Sequence, residues 1–279
     1  MGKDKTGAYA SDLSMKIKAM KIKNIFLAFL LLGAPFASVI ANEASPRLQK
    51  ANTDLCDKAS LQRGAGLFMN YCAGCHSLQY MRYKDMAKDI GIIDKSGAVL
   101  DKLVQDNLNF TTDRVTDPIQ VALPKKDAEA WFGVAPPDLS LVARVRGKDW
   151  LYSYLRGFYE DPKRPWGVNN MIFPDVGMPH VLADLQGIQT AIFRTVELKD
   201  DEGKPFTKQV IDHLELTKPG ALTEQQYNQA VADLVNFLDY AGEPHKLERK
   251  RLGVWVLLFL MAFTLFAYLL KREYWKDIH

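Results

Sequence analysis

Three residues with reactive or ligating side chains stand together in the pentapeptide Cys72-Ala73-Gly74-Cys75-His76. Two thiols separated by two residues, with an imidazole directly after the second, form the attachment pattern of a c-type haem. The thiols of Cys72 and Cys75 become thioethers on the two vinyl groups of one porphyrin, and His76 turns a ring nitrogen to the iron. A bare C-x-x-C also serves as a redox dithiol or as half of a zinc site, but neither needs the adjoining histidine. A zinc ribbon would want a second cysteine pair, and only Cys56 remains elsewhere.

His76 fills one axial position, and the other decides whether the iron carries electrons or binds small molecules. A methionine thioether closes the iron and raises its potential. Of the nine methionines, Met1, Met15 and Met20 precede the mature chain and Met261 lies in an apolar run. Met69 belongs to the haem-bearing helix, and Met81 and Met86 follow it too closely to reach the opposite haem face. Met171 and Met178 remain, in the run from Asn169 to His180. Met178, between Gly177 and Pro179, sits in a rigid, turn-rich segment that suits a ligand and is favoured; Met171 would otherwise pack against the ring. His180 would make a bis-histidine site. Arg144 and Arg146 follow the stiff turn Ala135-Pro136-Pro137-Asp138-Leu139-Ser140 and suit haem propionates, unless they simply face solvent.

These groups need elements to hold them. Leu61, Ala65, Phe68 and Cys72 recur at helical spacing, with Ser60 as the expected N-cap, so a helix runs into the pentapeptide. Gly64 and Gly66 within it are expected where another helix crosses closely. Thr223-Glu224-Gln225-Gln226 has the form of a capping box, and Tyr227, Val231, Leu234, Val235 and Leu238 mark one face of the helix that follows. Gly242 and Pro244 end it. Residues 85–130 read as short helices and loops, and Lys148 to Tyr159 as an aromatic-rich helix. Thr190 to Glu197 and Phe206 to Leu216 alternate in part and predict a β-hairpin. There is no internal repeat, P-loop or dinucleotide fingerprint.

Both ends of the 279-residue chain differ from its middle. Lys16, Lys18, Lys21 and Lys23 precede the apolar run Ile25 to Leu32, then Gly33, Pro35 and Val39-Ile40-Ala41. This is a signal peptide over residues 1–41 with cleavage after Ala41, the alternative being an uncleaved anchor. Residues 1–14 are a polar extension atypical of such leaders, and Met15 and Met20 offer later starts. Leu252 to Leu270 is uncharged and mostly apolar over nineteen residues, roughly 28 Å as a helix, and predicts a transmembrane span. Its basic flanks are nearly balanced, so orientation follows from the leader: residues 42–245 exported, residues 246–279 an anchor with a short cytoplasmic tail. Cys56 is then a free thiol or half of an intermolecular disulfide. Residues 1–41 and 246–279 each carry net +4, so the total of +3 leaves −5 for residues 42–245. An acidic exported domain argues against nucleic acid and allows a basic soluble partner.

Taken together the motifs resemble one family. Arg63-Gly64 ahead of Tyr71-Cys72-Ala73-Gly74-Cys75-His76-Ser77-Leu78 is similar to the haem-binding segment of the cytochrome c1 family, and Trp131 to Ser140 resembles its second block. Asp161-Pro162, Arg164-Pro165 and Asn169 to Pro179 look like its methionine loop; the helix from Thr223, Gly242-Glu243-Pro244 and the C-terminal anchor complete the order over residues 45–279. The fold implied is mostly α: a cytochrome c-type haem domain with a small β-hairpin and one C-terminal transmembrane helix. The resemblance implies one covalent haem c on Cys72 and Cys75, iron ligated by His76 and Met178, and a propionate contact that maps first to Arg144 and then to Arg146. It implies the electron-transfer subunit of a bacterial ubiquinol–cytochrome c oxidoreductase, with no substrate catalysis in this chain alone. Electrons would pass from a Rieske iron–sulfur protein to a soluble cytochrome c, with cytochrome b beside the anchor, in a dimeric complex. The haem domain would face the periplasm from the inner membrane. Other readings are an anchored monohaem cytochrome serving a different oxidase or reductase, and a haem-based ligand sensor.

Overall fold

The computed structural model describes residues 48–121, 123–199 and 204–276. The leader expected over residues 1–41, and most of the hairpin tip at residues 200–203, lie outside the described residues. In chain order the elements are α1 (Lys58–Tyr71), β1 (Leu78–Arg82), α2 (Tyr83–Ile90), α3 (Asp101–Asn107), β2 (Pro118–Ile119) and α4 (Lys125–Phe132). Then come α5 (Val142–Arg146), α6 (Lys148–Arg156), β3 (Phe158–Glu160), β4 (Val168–Asn170) and α7 (Ala183–Gln186). The chain continues with β5 (Gly187–Lys199), β6 (Pro205–Pro219), α8 (Glu224–Gly242) and α9 (Lys246–Tyr274). The architecture is mostly α, with three separate antiparallel strand pairs among the described residues, β1–β2, β3–β4 and β5–β6.

The core is the crossing of α1 and α8. Leu61, Phe68, Val231, Leu234 and Phe237 are buried there, and the Phe68 and Phe237 rings lie 5.7 Å apart. Each such side chain contributes on the order of 1.5–3 kcal/mol through the area it removes from water. Gly64 sets the closeness of the crossing, because a Cβ there would run into the Asp233 carbonyl and lie 2.7 Å from Phe237 Cβ. Gly66 has open space around it, so only one of the two glycines serves the crossing. Asp233 is 2% exposed, yet its carboxylate is paired. It accepts from Arg63 at 2.6 and 3.0 Å, from Ser60 Oγ at 2.7 Å and from Gln229 Nε2 at 3.0 Å. A buried carboxylate is tolerated only with such partners.

Helix α1 starts earlier than the sequence pattern suggests. Asp57 is the cap, accepting from the Ser60 amide at 3.0 Å, and this leaves the Ser60 hydroxyl to α8. In α8 the capping box forms as expected: Thr223 Oγ1 accepts from the Gln226 amide at 3.3 Å, and Gln226 Oε1 accepts from the Thr223 amide at 3.0 Å. Helix α6 stops at Arg156 rather than Tyr159. The next residues open β3, because Gly157 O is taken by the Met171 amide at 2.8 Å and Phe158 pairs with Asn170.

The hairpin is longer than its alternating core, pairing Gly187 with Pro219 at its base and Lys199 with Pro205 near its tip. Lys246 to Tyr274 forms one continuous helix of 29 residues, roughly 44 Å long, and none of its residues is buried by the rest of the protein. That length and its apolar centre meet the requirement for a membrane span. At its start, Lys246 Nζ grips both Asp239 oxygens at 2.7 and 3.0 Å, and Arg249 pairs with Glu243. Two ion pairs therefore bridge the bend between α8 and α9.

Candidate haem site

Helix α1 ends into the pentapeptide. The Cys72 and Ala73 amides donate to Phe68 O at 2.8 and 2.9 Å, and the Cys75 and His76 amides donate to Cys72 O at 3.0 and 2.8 Å. The chain thus coils tightly through the two thiols. Cys72 is buried and Cys75 half-buried. Burial, helped by neighbouring Cys75, pushes the Cys72 thiol up to about 12.

His76 Nδ1 lies 2.7 Å from the Pro137 carbonyl. A carbonyl can only accept, so Nδ1 carries the proton and Nε2 keeps its lone pair, the tautomer that a metal ligand requires. Burial lowers the pKa of the ring, against smaller opposing effects of that carbonyl and of Asp138, and so favours its neutral form. Asp138 ties the two segments together. Its Oδ2 accepts from Ser77 Oγ at 2.7 Å and the Gln79 amide at 2.9 Å, and its Oδ1 from the Ser140 amide at 2.9 Å. Burial alone would raise this carboxyl, but hydrogen bonds from Ser140, Gln79 and Ser77 outweigh it and hold the group below its ordinary 3.8.

Met178 belongs to a second cluster, built by α6 and the strand after it. The Trp150 and Tyr154 rings, four residues apart, stack at 4.9 Å with 8° between planes; Phe158 meets Tyr154 edge-on at 5.3 Å. Tyr154 Oη donates to Met178 Sδ at 3.4 Å. Burial raises the Tyr154 pKa, so the phenol stays protonated and available as a donor. The His180 ring stacks flat on Phe158 at 4.7 Å, and burial, against a weaker effect of Gln186, pushes it down to about 4. Met171 lines a cavity of about 440 Å³ with Ser153, Arg156 and Gln186.

Two asparagines shape the segment that carries both methionines. Asn170 is fully buried; its Nδ2 donates to Tyr154 O at 2.8 Å, and its Oδ1 accepts from the Ile172 and Phe173 amides at 2.9 and 3.1 Å. Asn169 Oδ1 accepts from the Asp175 amide at 2.9 Å, and its Nδ2 donates to Asp161 at 3.0 Å. Asp175 takes a left-handed conformation, φ +60°, and its carboxylate accepts from Arg164 at 2.8 Å. Sequence reasoning gave neither asparagine a role. The signal was present, since paired Asn residues before a Pro-rich run are natural makers of side-chain turns.

The two candidate arginines diverge. Arg146 lies over the Trp150 ring at 5.1 Å and the Phe173 ring at 5.8 Å, beside the methionine segment. Arg144 faces the end of α8, where a Cβ on Gly242 would be 3.3 Å from its Cγ. Cys56 is exposed and free.

These residues fit a haem: a neutral imidazole with one bare nitrogen, two thiols within one tight coil, a thioether backed by a hydroxyl donor, an aromatic wall and a nearby guanidinium. The comparisons agree with that chemistry. Residues 48–278 match the model of the cytochrome C1 family. The chain is 50% identical over 258 residues to cytochrome c1 of Allochromatium vinosum, covering 92% of this chain and all of that one. It is 44% identical over 258 residues to a protein of Nitrosomonas europaea named ammonia monooxygenase gamma subunit, covering 92% of this chain and 99% of that one. It is also 30% identical over 246 residues to a Bradyrhizobium diazoefficiens protein named cytochrome b/c1, covering 80% of this chain and 34% of that longer one. The chain belongs to the cytochrome c1 family, and is a membrane-anchored electron-transfer protein that carries one covalently bound haem c.

Proposed function

We propose that the chain is the cytochrome c1 subunit of a cytochrome bc1 complex, taking one electron at a time from a Rieske iron–sulfur protein and passing it to a soluble cytochrome c. Cys72 and Cys75 hold the haem through thioethers, His76 ligates through Nε2, and Met178 through Sδ. Bound haem supplies a one-electron iron couple. The chain's own residues keep that couple closed to other ligands. The Pro137 carbonyl fixes the His76 tautomer, Asn169 and Asn170 stiffen the methionine segment, and the aromatic wall of Trp150, Tyr154 and Phe158 keeps water from the Met178 side. Arg146 is the better partner for a propionate, because its guanidinium stands beside the methionine segment whereas Arg144 faces the end of α8.

The observation that carries the reading is a bare His76 nitrogen and a buttressed Met178 on a domain fixed to a membrane helix. The longer relative that bears the double name cytochrome b/c1 supports cytochrome b as the neighbour. Residues 1–41 act as a cleaved leader, residues 42–245 form the periplasmic haem domain, and residues 246–279 anchor it in the inner membrane with the C-terminus in the cytoplasm. The complex is dimeric. The test is mild detergent extraction of native membranes, followed by haem spectra and an inhibitor-sensitive quinol–cytochrome c reductase assay. Co-purifying b-type haem, a Rieske signal and activity are expected. A c-type haem that purifies alone, or with another oxidase or an oxygenase, overturns the complex assignment and leaves the electron carrier.

A further inference from the structure

We infer that Tyr154 is a positioning residue for the sixth ligand, its hydroxyl holding the Met178 thioether toward the haem and raising the reduction potential. This rests on the reading of Met178 as the ligand. The bond from Tyr154 Oη to Met178 Sδ is 3.4 Å, and among the described residues the phenol has no other hydrogen-bond partner. A phenol oxygen left half-buried without a partner is costly, so this bond has a physical reason to persist. The ring cannot swing freely, because Trp150 stacks on it at 4.9 Å and Phe158 meets it at 5.3 Å. Its backbone is tied to the same segment, since Tyr154 O accepts from Asn170, whose Oδ1 holds the Ile172 and Phe173 amides. Tyr154 thus meets the methionine segment at two points, at its side chain and at its main chain.

A thioether sulfur has two lone pairs and is a weak acceptor. Were one pair given to a bound iron, the other would remain to accept from the Tyr154 hydroxyl. That bond would draw electron density from the sulfur, and it presents the positive end of the O–H dipole to the ligating atom. Both effects oppose the extra positive charge of the ferric state, so both raise the potential. Hydrogen bonding to axial ligands is one of the ways a protein tunes haem.

The test uses the full-length protein in detergent-solubilised membranes, with redox titration, the methionine–iron charge-transfer band and carbon monoxide binding as readouts. Tyr154→Phe keeps the ring and removes the hydroxyl. It is expected to retain the haem and the band, while the one-electron equilibrium shifts toward ferric by roughly three- to tenfold, about 28–59 mV at 59 mV per tenfold. Incorporating 3-fluorotyrosine at position 154 makes a stronger donor of nearly unchanged shape, and is expected to move the potential upward. It decides the matter should the phenylalanine variant fail to assemble. Met178→Leu is the reference, expected to lose the band, drop the potential further and admit carbon monoxide. An unchanged potential in both position-154 proteins, beside a Met178→Leu that behaves as expected, overturns the inference alone. A Met178→Leu with unchanged band and potential overturns the ligand reading, and this inference with it.

Discussion

At His76 a backbone carbonyl does what a carboxylate does beside many metal-bound histidines: Pro137 O fixes the proton on Nδ1 and leaves Nε2 bare. That carbonyl is held in place by Asp138, through the Ser77 hydroxyl and the Gln79 and Ser140 amides. The carboxyl sits below its ordinary 3.8 in the folded protein, so its ionised form stabilises the fold at pH above that value. The contribution is lost as pH falls through the lower folded value. Asp138→Ala is expected to cost about 1–2 kcal/mol near neutral pH and to flatten the acid limb of stability below about pH 4, checked by unfolding titrations across pH. The residue types able to ligate were legible because their spacing is chemical. What orients them was not, since Pro137 acts through its main chain and Tyr154 reaches Met178 only after α6 and the methionine segment have packed.

Among the elements, the α1–α8 crossing turns one glycine into a strict requirement and spares its neighbour. Gly64→Ala is expected to destabilise by about 3 kcal/mol or more, because the obstacle is the Asp233 main chain rather than a flexible side chain. Gly66→Ala meets nothing and is expected to be neutral or stabilising by roughly 0.5–1 kcal/mol. Thermal unfolding of the two variants side by side checks the pair. Periodicity reveals that α1 needs a close partner, but not which glycine faces it. The α8 box and apolar face were readable because both are local patterns. The start of α1 was misread because two oxygen-bearing residues, Asp57 and Ser60, compete for one cap, and the choice depends on Asp233 far along the chain. Strands of two or three residues, such as β2 and β3, carry no period, and the hairpin ends at residues as poor in strand preference as Gly187 and Pro219.

Over the whole molecule, the haem domain meets its anchor through a bend bridged by Lys246–Asp239 and Arg249–Glu243. The Lys246–Asp239 pair is largely buried and so less screened than an ordinary surface pair, whereas Arg249 is mostly exposed. Asp239→Asn combined with Glu243→Gln is expected to broaden the spread of haem orientations in stacked, oriented membranes while leaving the potential unchanged. Paramagnetic resonance at varied tilt reads both. An unbroadened spread would show that the helix termini alone fix the angle.

The burial of Cys72 also dictates a schedule. In the closed fold Cys72 is buried, and burial disfavours the thiolate that reacts. Thioether formation is therefore expected to come before the fold closes around Cys72, and a chain folded first is expected to take up porphyrin slowly or not at all, which timed addition of haem to folded and unfolded protein would check.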